Sequence, residues 1–377
     1  MTTFVKNHTA IYRCLIPFII SLFLISSCVT TTSKSSKEGD FASMRKPQIS
    51  KTMQTIAFGS CADAYKPQPL WAEIQSSKPD VFLLLGDNVY ADKLNGKNIP
   101  IATEESFKAA YSALDQQKEF SRFRRHIPIL ATWDDHDYGF NDGGIDNPVI
   151  PLAKKFFLNF FNIPLNSPVR QHEGVYSANI YGEAGKRVQI ILLDTRSFRS
   201  ALTKAKAGNA EGYQRYRPST ADNQQMLGEQ QWAWLAEQLS KPAEIRIIAS
   251  SIQILAENHG YERWGNLPKE RQRLYDLLTR TRANGVVLFS GDRHQGGLYR
   301  KTNITPYPLI EVTASSINVP IAHPSLEMDE TQVGHLVQKP NFGLLHINWD
   351  KKLISFGVNI AAKTQLHGLE FPFEDIQ

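Results

Sequence analysis

One stretch, TWDDHDYGFND at 132–142, sets Asp134, Asp135, Asp137 and Asp142 around a single histidine, His136, directly after an apolar run. Crowded carboxylates repel one another and resist burial, so either water solvates them on an ordinary loop or a cation sits among them. Asp134 and Asp135 offer oxygen ligands, His136 serves as ligand or proton donor, and Asn141 adds a neutral amide oxygen. Two more motifs have the same character. GDNVY at 86–90 places the carboxylate of Asp87 just after a glycine and Tyr90 three residues further on. A phenol with a free pKa of about 10 loses its proton near neutral pH only to a strong Lewis acid, so a Tyr90 ligand points to ferric iron over magnesium. SGDRH at 290–294 sets Asp292 and His294 at i and i+2. Carboxylate plus imidazole suits iron, manganese or zinc, while calcium takes oxygens alone. Each motif taken singly is equally an ordinary turn after a strand.

The elements that must position these groups are legible as short runs. Strands are predicted at 55–58, 81–85, 127–132, 188–193, 244–250, 286–289, 310–313, 344–348 and 353–359. Helical composition and spacing occur at 69–75, 104–123, 151–161, 224–239 and 269–282. The alternation indicates an α/β fold, and the closing strands, with no helix between them, indicate a mixed sheet ending in a hairpin across WDKK at 349–352. Cys61 follows IAFGS, Asp87 follows VFLLLG, Asp134 follows ILATW and Asp292 follows VVLFSG. In open α/β sheets the carboxyl ends of strands form the ligand crevice, so four strand ends would deliver these groups to one place.

The N-terminal residues indicate a compartment. Residues 1–13 carry Lys6 and Arg13 and no acid, and CLIPFIISLFLISS at 14–27 is an apolar core too short for a comfortable membrane span. LISSC at 24–28 resembles the lipobox of bacterial lipoproteins, which makes Cys28 the lipidated residue. The expected organisation is a signal peptide over 1–27, a flexible tether over 28–51 and a catalytic domain over 52–377, held outside the cytoplasm on a bacterial membrane by its lipid. With Cys14 removed and Cys28 lipidated, Cys61 is left with no disulfide partner, so it must be buried or coordinated. The net charge of +5 becomes +3 without Lys6 and Arg13, which names no nucleic-acid partner, and no protein partner is indicated.

FGSC at 58–61, GDNVYAD at 86–92, TWDDHDYGFND at 132–142 and SGDRH at 290–294 stand in the order found in the alkaline phosphatase D family, the PhoD-like branch of the metallophosphoesterases. LDTRSFR at 193–199 and QQWAWLAEQL at 230–239 look like further segments of it. The resemblance implies a four-layer α/β/β/α sandwich with a mixed sheet and hydrolysis of a phosphoester at a bimetal centre. Carried over by motif, Cys61, Asp87, Tyr90 and His294 would hold Fe3+, and Asp87 would bridge to a second ion, Ca2+, with Asp292 and either Asp135 or Asn141. Mn2+ and Zn2+ are the other candidates. Gln253 is either an amide ligand or a packing residue. A hydroxide on or between the ions would attack phosphorus in line, with His136 protonating the leaving alcohol or orienting the phosphate. Arg196 and Arg199 would clamp the phosphate, Asp194 would fix Arg196, and Asp137 and Asp142 would support the loop.

Two other functions fit the same residues: a phosphodiesterase acting on lipid head groups, wall polymers or nucleic acid, and a non-catalytic calcium-binding surface lipoprotein. The histidine motif also departs from the better-known members, which have glutamate where this chain has Asp137, so substrate preference is not carried across. A tyrosinate–iron pair absorbs visible light. Purified protein is expected to show that charge-transfer band, and a colourless, iron-free yet fully active enzyme would contradict the iron assignment.

Overall fold

The computed structural model describes residues 41–206, 215–321 and 329–377. The expected signal peptide, Cys28 and residues 28–40 of the expected tether lie outside the described residues. In chain order the first strands are β1 (Thr55–Gly59), β2 (Val81–Leu85), β3 (Lys93–Leu94), β4 (Lys97–Asn98) and β5 (Ile129–Thr132). The next are β6 (Ser177–Tyr181), β7 (Val188–Leu192), β8 (Ile245–Ala249), β9 (Val286–Ser290) and β10 (Gly296–Lys301). The last are β11 (Leu309–Thr313), β12 (Gln332–Val337), β13 (Phe342–Asn348), β14 (Leu353–Ala361) and β15 (Thr364–Pro372). The helices are α1 (Leu70–Ser76), α2 (Glu104–Gln116), α3 (Lys118–His126), α4 (Asp135–Tyr138), α5 (Ile150–Phe160), α6 (Gly228–Leu239) and α7 (Pro268–Thr281).

The fold is mixed α/β. One sheet runs β15-β14-β13-β1-β2-β5, with β1, β2 and β5 parallel and β13 to β15 antiparallel. The other runs β12-β10-β11-β9-β8-β7-β6, parallel across β7, β8, β9 and β11. The parallel strands explain themselves: VFLLL, VQIIL and IRIIA are buried along their whole length, as strands covered on both faces must be. One apolar cluster holds side chains of both sheets together with Trp232, Leu235, Leu274 and Leu278 from α6 and α7. Within it Phe58 of β1 stacks on Phe289 of β9, ring centroids 3.8 Å apart, so the two sheets meet face to face. A second cluster covers the other face of the first sheet, where Phe82 and Leu84 meet Trp71, Phe107, Tyr111, Phe120 and Phe157. Among the described residues no helix is long and apolar enough to cross a membrane.

Three departures from the sequence reading have local causes. The helix expected over 104–123 is two, because Gln117 is extended at ψ 114° and spends its amide on the carbonyls of Ala64 and Lys66. The edge strands β6, β12 and β15 and the two-residue strands β3 and β4 carry too few buried residues to stand out as apolar runs. The packed chain also begins before residue 52: Met44 is buried and its N–H donates to Asn162 Oδ1 at 2.8 Å, and the Gly182 N–H donates to the Ile49 carbonyl at 2.9 Å.

Candidate metal centre

The carboxyl ends of β1, β2, β5 and β9 converge, and those of β1, β2 and β9 release their polar residues through an unusual backbone. Cys61, Asp87, Asp292 and His294 have φ of 56°, 50°, 66° and 54°. That left-handed region costs a residue with a side chain roughly 1–3 kcal/mol and tends to gather at functional sites. Gly86, at φ 102°, lets β2 end against β5: a Cβ there would lie 2.4 Å from Asp134 Cβ. The loops are then cross-tied. Ala62 N–H donates to the Asp87 carbonyl at 2.8 Å, and the Asn88 and Asp134 N–H groups donate to the Asp137 carboxylate at 3.0 and 2.9 Å.

Four overlapping groups of ligand atoms result among the described residues, one of them Asp135 with Asp142 and Glu262 at the arginine network. Those of Cys61, Asp87 and His294 lie within 4.8 Å of one another, and so do those of Asp134, Asp135 and Asp292. Asp87, Asp135 and His136 form a third set at the same spacing, so Asp87 and Asp135 join the first two. The donor chemistry fits cations. His294 Nδ1–H donates to the Val319 carbonyl at 2.5 Å, which leaves Nε2 with its lone pair. The Tyr90 hydroxyl and Asp134 Oδ2 are buried with no hydrogen-bond partner among the described residues. Cys61 Sγ lies 3.4 Å from Asp87 Oδ2 and 3.0 Å from Ser315 Oγ.

Without a counter-ion this cluster cannot ionise freely. Burial, then the neighbouring Cys61 and Asp135, pushes the Asp87 carboxyl well above the carboxylate range, and burial with Asp134 and Glu262 does the same to Asp292. Burial raises Asp134 to about 7 against the opposing charge of Arg196, and raises Asp137 to about 7 against its backbone hydrogen bonds. It lifts the Cys61 thiol to about 12. Asp135 goes the other way: burial raises it, but His136, Arg196 and the Asp142 N–H together hold it below the usual range. His136 is pulled down by burial and raised more by Asp135 and Asp92, to about 9.

A cavity of about 200 Å3 opens on these residues, lined by Asp87, Asp135, His136, Asp292 and His294, with Asn141, Asp142, Arg215, Glu262 and Arg293 around them. The residues singled out as metal ligands are thus together, with Asn141 exposed at the rim and Asp135 buried among the carboxylates. Arg196 and Arg199 require correction. Both are fully buried, neither lines the cavity, and most of their donors face protein acceptors. Arg196 Nη2 sits 2.5 Å from Asp134 Oδ1 and 2.7 Å from Glu262 Oε2. Arg199 Nη2 donates to the Asp142 and Gly143 carbonyls at 2.7 and 2.8 Å. As placed, neither reaches the cavity in which a phosphate would sit. Asp194 does hold Arg196, through its backbone N–H at 2.9 Å. Gln253 donates to Thr313 Oγ1 at 2.8 Å and does not line the cavity.

The structure adds residues that the sequence reading passed over. Both carboxylate oxygens of Asp92 lie 2.8 Å from His136 Nδ1, and the Tyr90 ring lies against the imidazole at 4.2 Å. A carboxylate only accepts here, so Nδ1 carries the proton and Nε2 is the nitrogen left for the cavity. Asp92 stands inside GDNVYAD, so its proximity to the motif was the available signal. Glu262 and Arg215, on loops with no motif, gave none.

A family model described as PhoD-like phosphatase matches residues 56–352. Alkaline phosphatase D of Bacillus subtilis (strain 168) is 22% identical over 291 residues, covering 68% of this chain and 48% of that protein. The chain therefore spans about half the length of the curated relative it matches. The solved structure of PhoD matches with a TM-score of 0.63 at 17% identity, covering 87% of this chain and 70% of that one. GAP50, described as the anchor in the inner membrane complex of Plasmodium, matches with a TM-score of 0.50 at 12% identity over 87% of this chain and 90% of its own. At those identities the two structures bear on the fold alone.

The buried arginine network makes a testable distinction. Breaking a buried ion pair by removing one partner costs roughly 3–5 kcal/mol, so Arg196→Ala is expected to lower the unfolding free energy by about that amount in denaturant melts. Unchanged stability with a raised KM alone would return Arg196 to the phosphate.

Proposed function

The chain belongs to the PhoD-like phosphatase family, and on that footing we propose that it is a metal-dependent phosphoester hydrolase. The observation that carries the reading is the pair of ligand groups joined through Asp87 and Asp135 at one set of strand ends. Cys61, Asp87, Tyr90 and His294 would hold one cation, and their thiol and phenol favour iron. Asp87, Asp135 and Asp292 would hold the second, and an all-oxygen set suits calcium. Asp135 is preferred to Asn141 because it is buried within the cluster. Bound there, the cations supply positive charge for the carboxylates, polarise phosphoryl oxygens and lower the pKa of water.

The chain's own residues complete the reaction. Arg215 and Arg293 line the cavity and would meet phosphoryl oxygens there, the role expected of Arg196 and Arg199. His136, its Nδ1–H held by Asp92, donates the Nε2 proton to the leaving oxygen as the phosphorus–oxygen bond breaks. Nearby cations would draw its raised pKa back toward neutrality, where a proton donor is most useful. Monoesters and diesters both fit this chemistry. The two apolar clusters agree with a four-layer α/β/β/α arrangement. The retained ligand set favours hydrolysis over a non-catalytic, calcium-binding role. The site outside the cytoplasm, with a lipid on Cys28, rests on the pattern of residues 1–28.

Asp87→Asn and Asp292→Asn are each expected to lower nitrophenyl phosphate turnover by at least the roughly hundredfold typical of residues that merely support a metal ligand. Their circular dichroism should be unchanged, and wild-type-like turnover in either would refute the centre. Cys28→Ala is expected to move the protein from the membrane fraction to the soluble fraction; retention in membranes would refute the lipid anchor.

A further inference from the structure

A second cavity, of about 550 Å3, adjoins the first and shares His136, His294, Asn141, Arg215 and Ile321 with it. Its remaining wall is built from Lys66, Lys93, Ile99, Pro100, Val319 and Pro320, with Tyr90, Asp92 and Asn98. That size and mixed lining suit the organic half of a small molecule, whereas the smaller cavity suits the phosphoryl group. His136 stands where the two meet, at the position of the bond that would break.

The walls are held, not loose. Asn318 bonds the loop carrying Lys66 at the Asp63 N–H (2.9 Å) and at the Asp63 and Pro67 carbonyls (2.8 and 3.1 Å). Lys93 begins the β3–β4 ribbon, which turns at Asn95-Gly96 and is closed by Ile99 N–H on the Asp92 carbonyl at 2.7 Å. The third wall is tied by Ile321 N–H to the His294 carbonyl at 2.9 Å.

The charge is unbalanced. Lys93 and Lys66 share one buried carboxylate, Asp63, at 3.0 and 3.8 Å. Arg215 is matched by Asp142 and His136 by Asp92. Two ammonium groups therefore share one carboxylate beside a cavity of mixed lining. We propose that this cavity is the subsite for the leaving-group half of the substrate, and that Lys66 and Lys93 select a leaving group bearing its own anionic substituent. The proposal rests on the phosphoester hydrolase reading.

Calorimetric titration of the metal-loaded protein with phenylphosphonate, 4-carboxyphenylphosphonate and 1,4-phenylenediphosphonate tests it. The two probes that carry a second anionic group should bind about two- to fivefold more tightly than phenylphosphonate, the range of a partly exposed ion pair. A gain for both marks general anion recognition, and a gain for the diphosphonate alone marks a second phosphate. Lys66→Gln with Lys93→Gln should erase the preference, and Lys93→Arg should keep it. Lys66→Gln alone, at an exposed position, should reduce it even where the double variant folds poorly. Equal affinity of the wild type for all three probes, or a preference that survives in the glutamine variants, would overturn the proposal. Failure of the wild type to bind any probe, together with no turnover of nitrophenyl phosphate, would instead remove the hydrolase reading beneath it.

Discussion

Buried negative charge is the constraint from which the rest of the site follows. Asp87, Asp135 and Asp292 line one crevice and Asp134 and Asp137 are buried close behind it, all at strand ends or just beyond. Ionised carboxylates removed from water are costly unless positive charge meets them. The chain supplies part of it. Arg196 meets Asp134 and Glu262, and His136 meets Asp92. Asp87 and Asp292, beside Cys61 and His294, have no guanidinium of their own, and both are pushed well above the carboxylate range. The distribution of internal cations thus divides the carboxylates into those the protein balances itself and those it leaves for an ion.

The backbone serves the same requirement. Four candidate ligands in left-handed conformations and a glycine that no side chain can replace bring two sheets' strand ends into ligand range. The stack of Phe58 on Phe289 fixes the spacing of the sheets directly beneath, since these residues precede Cys61 and Asp292 by only three positions each. A packed core that resists deformation is what lets such a site keep its geometry.

The sequence displayed much of this because its chemistry is local. Asp87, Asp134–His136 and Asp292–His294 each follow an apolar strand within a few residues, so the motif and the element that aims it are read together. The burial of Cys61 follows from the same logic. What could not be read was long-range. Arg196 and Arg199 sit after a strand like the ligands do, yet their side chains turn inward to Asp134 and Glu262, partners 62 and 63 residues away in the case nearest each acid. The choice between Asp135 and Asn141 depended on burial, which spacing along a loop does not encode. Asp92 was visible as a residue but not as a partner, because its hydrogen bond to His136 crosses 44 positions of chain.

The need for an external cation is tested most directly by the stability of metal-stripped protein across pH. Asp87 and Asp292 are pushed well above the carboxylate range when folded, and Asp134 and Asp137 to about 7, against about 4 for all of them unfolded. Their ionised forms thus oppose the fold as pH rises from there. His136, raised to about 9, adds a loss of the same sign at higher pH, and Asp135, held low, acts only below pH 4. Thermal melts of the stripped protein are therefore predicted to fall steadily from about pH 4 to about pH 9, and restored iron and calcium should remove most of the fall by binding the native state alone. A flat profile for the stripped protein, or one that added cations leave unchanged, would contradict the account.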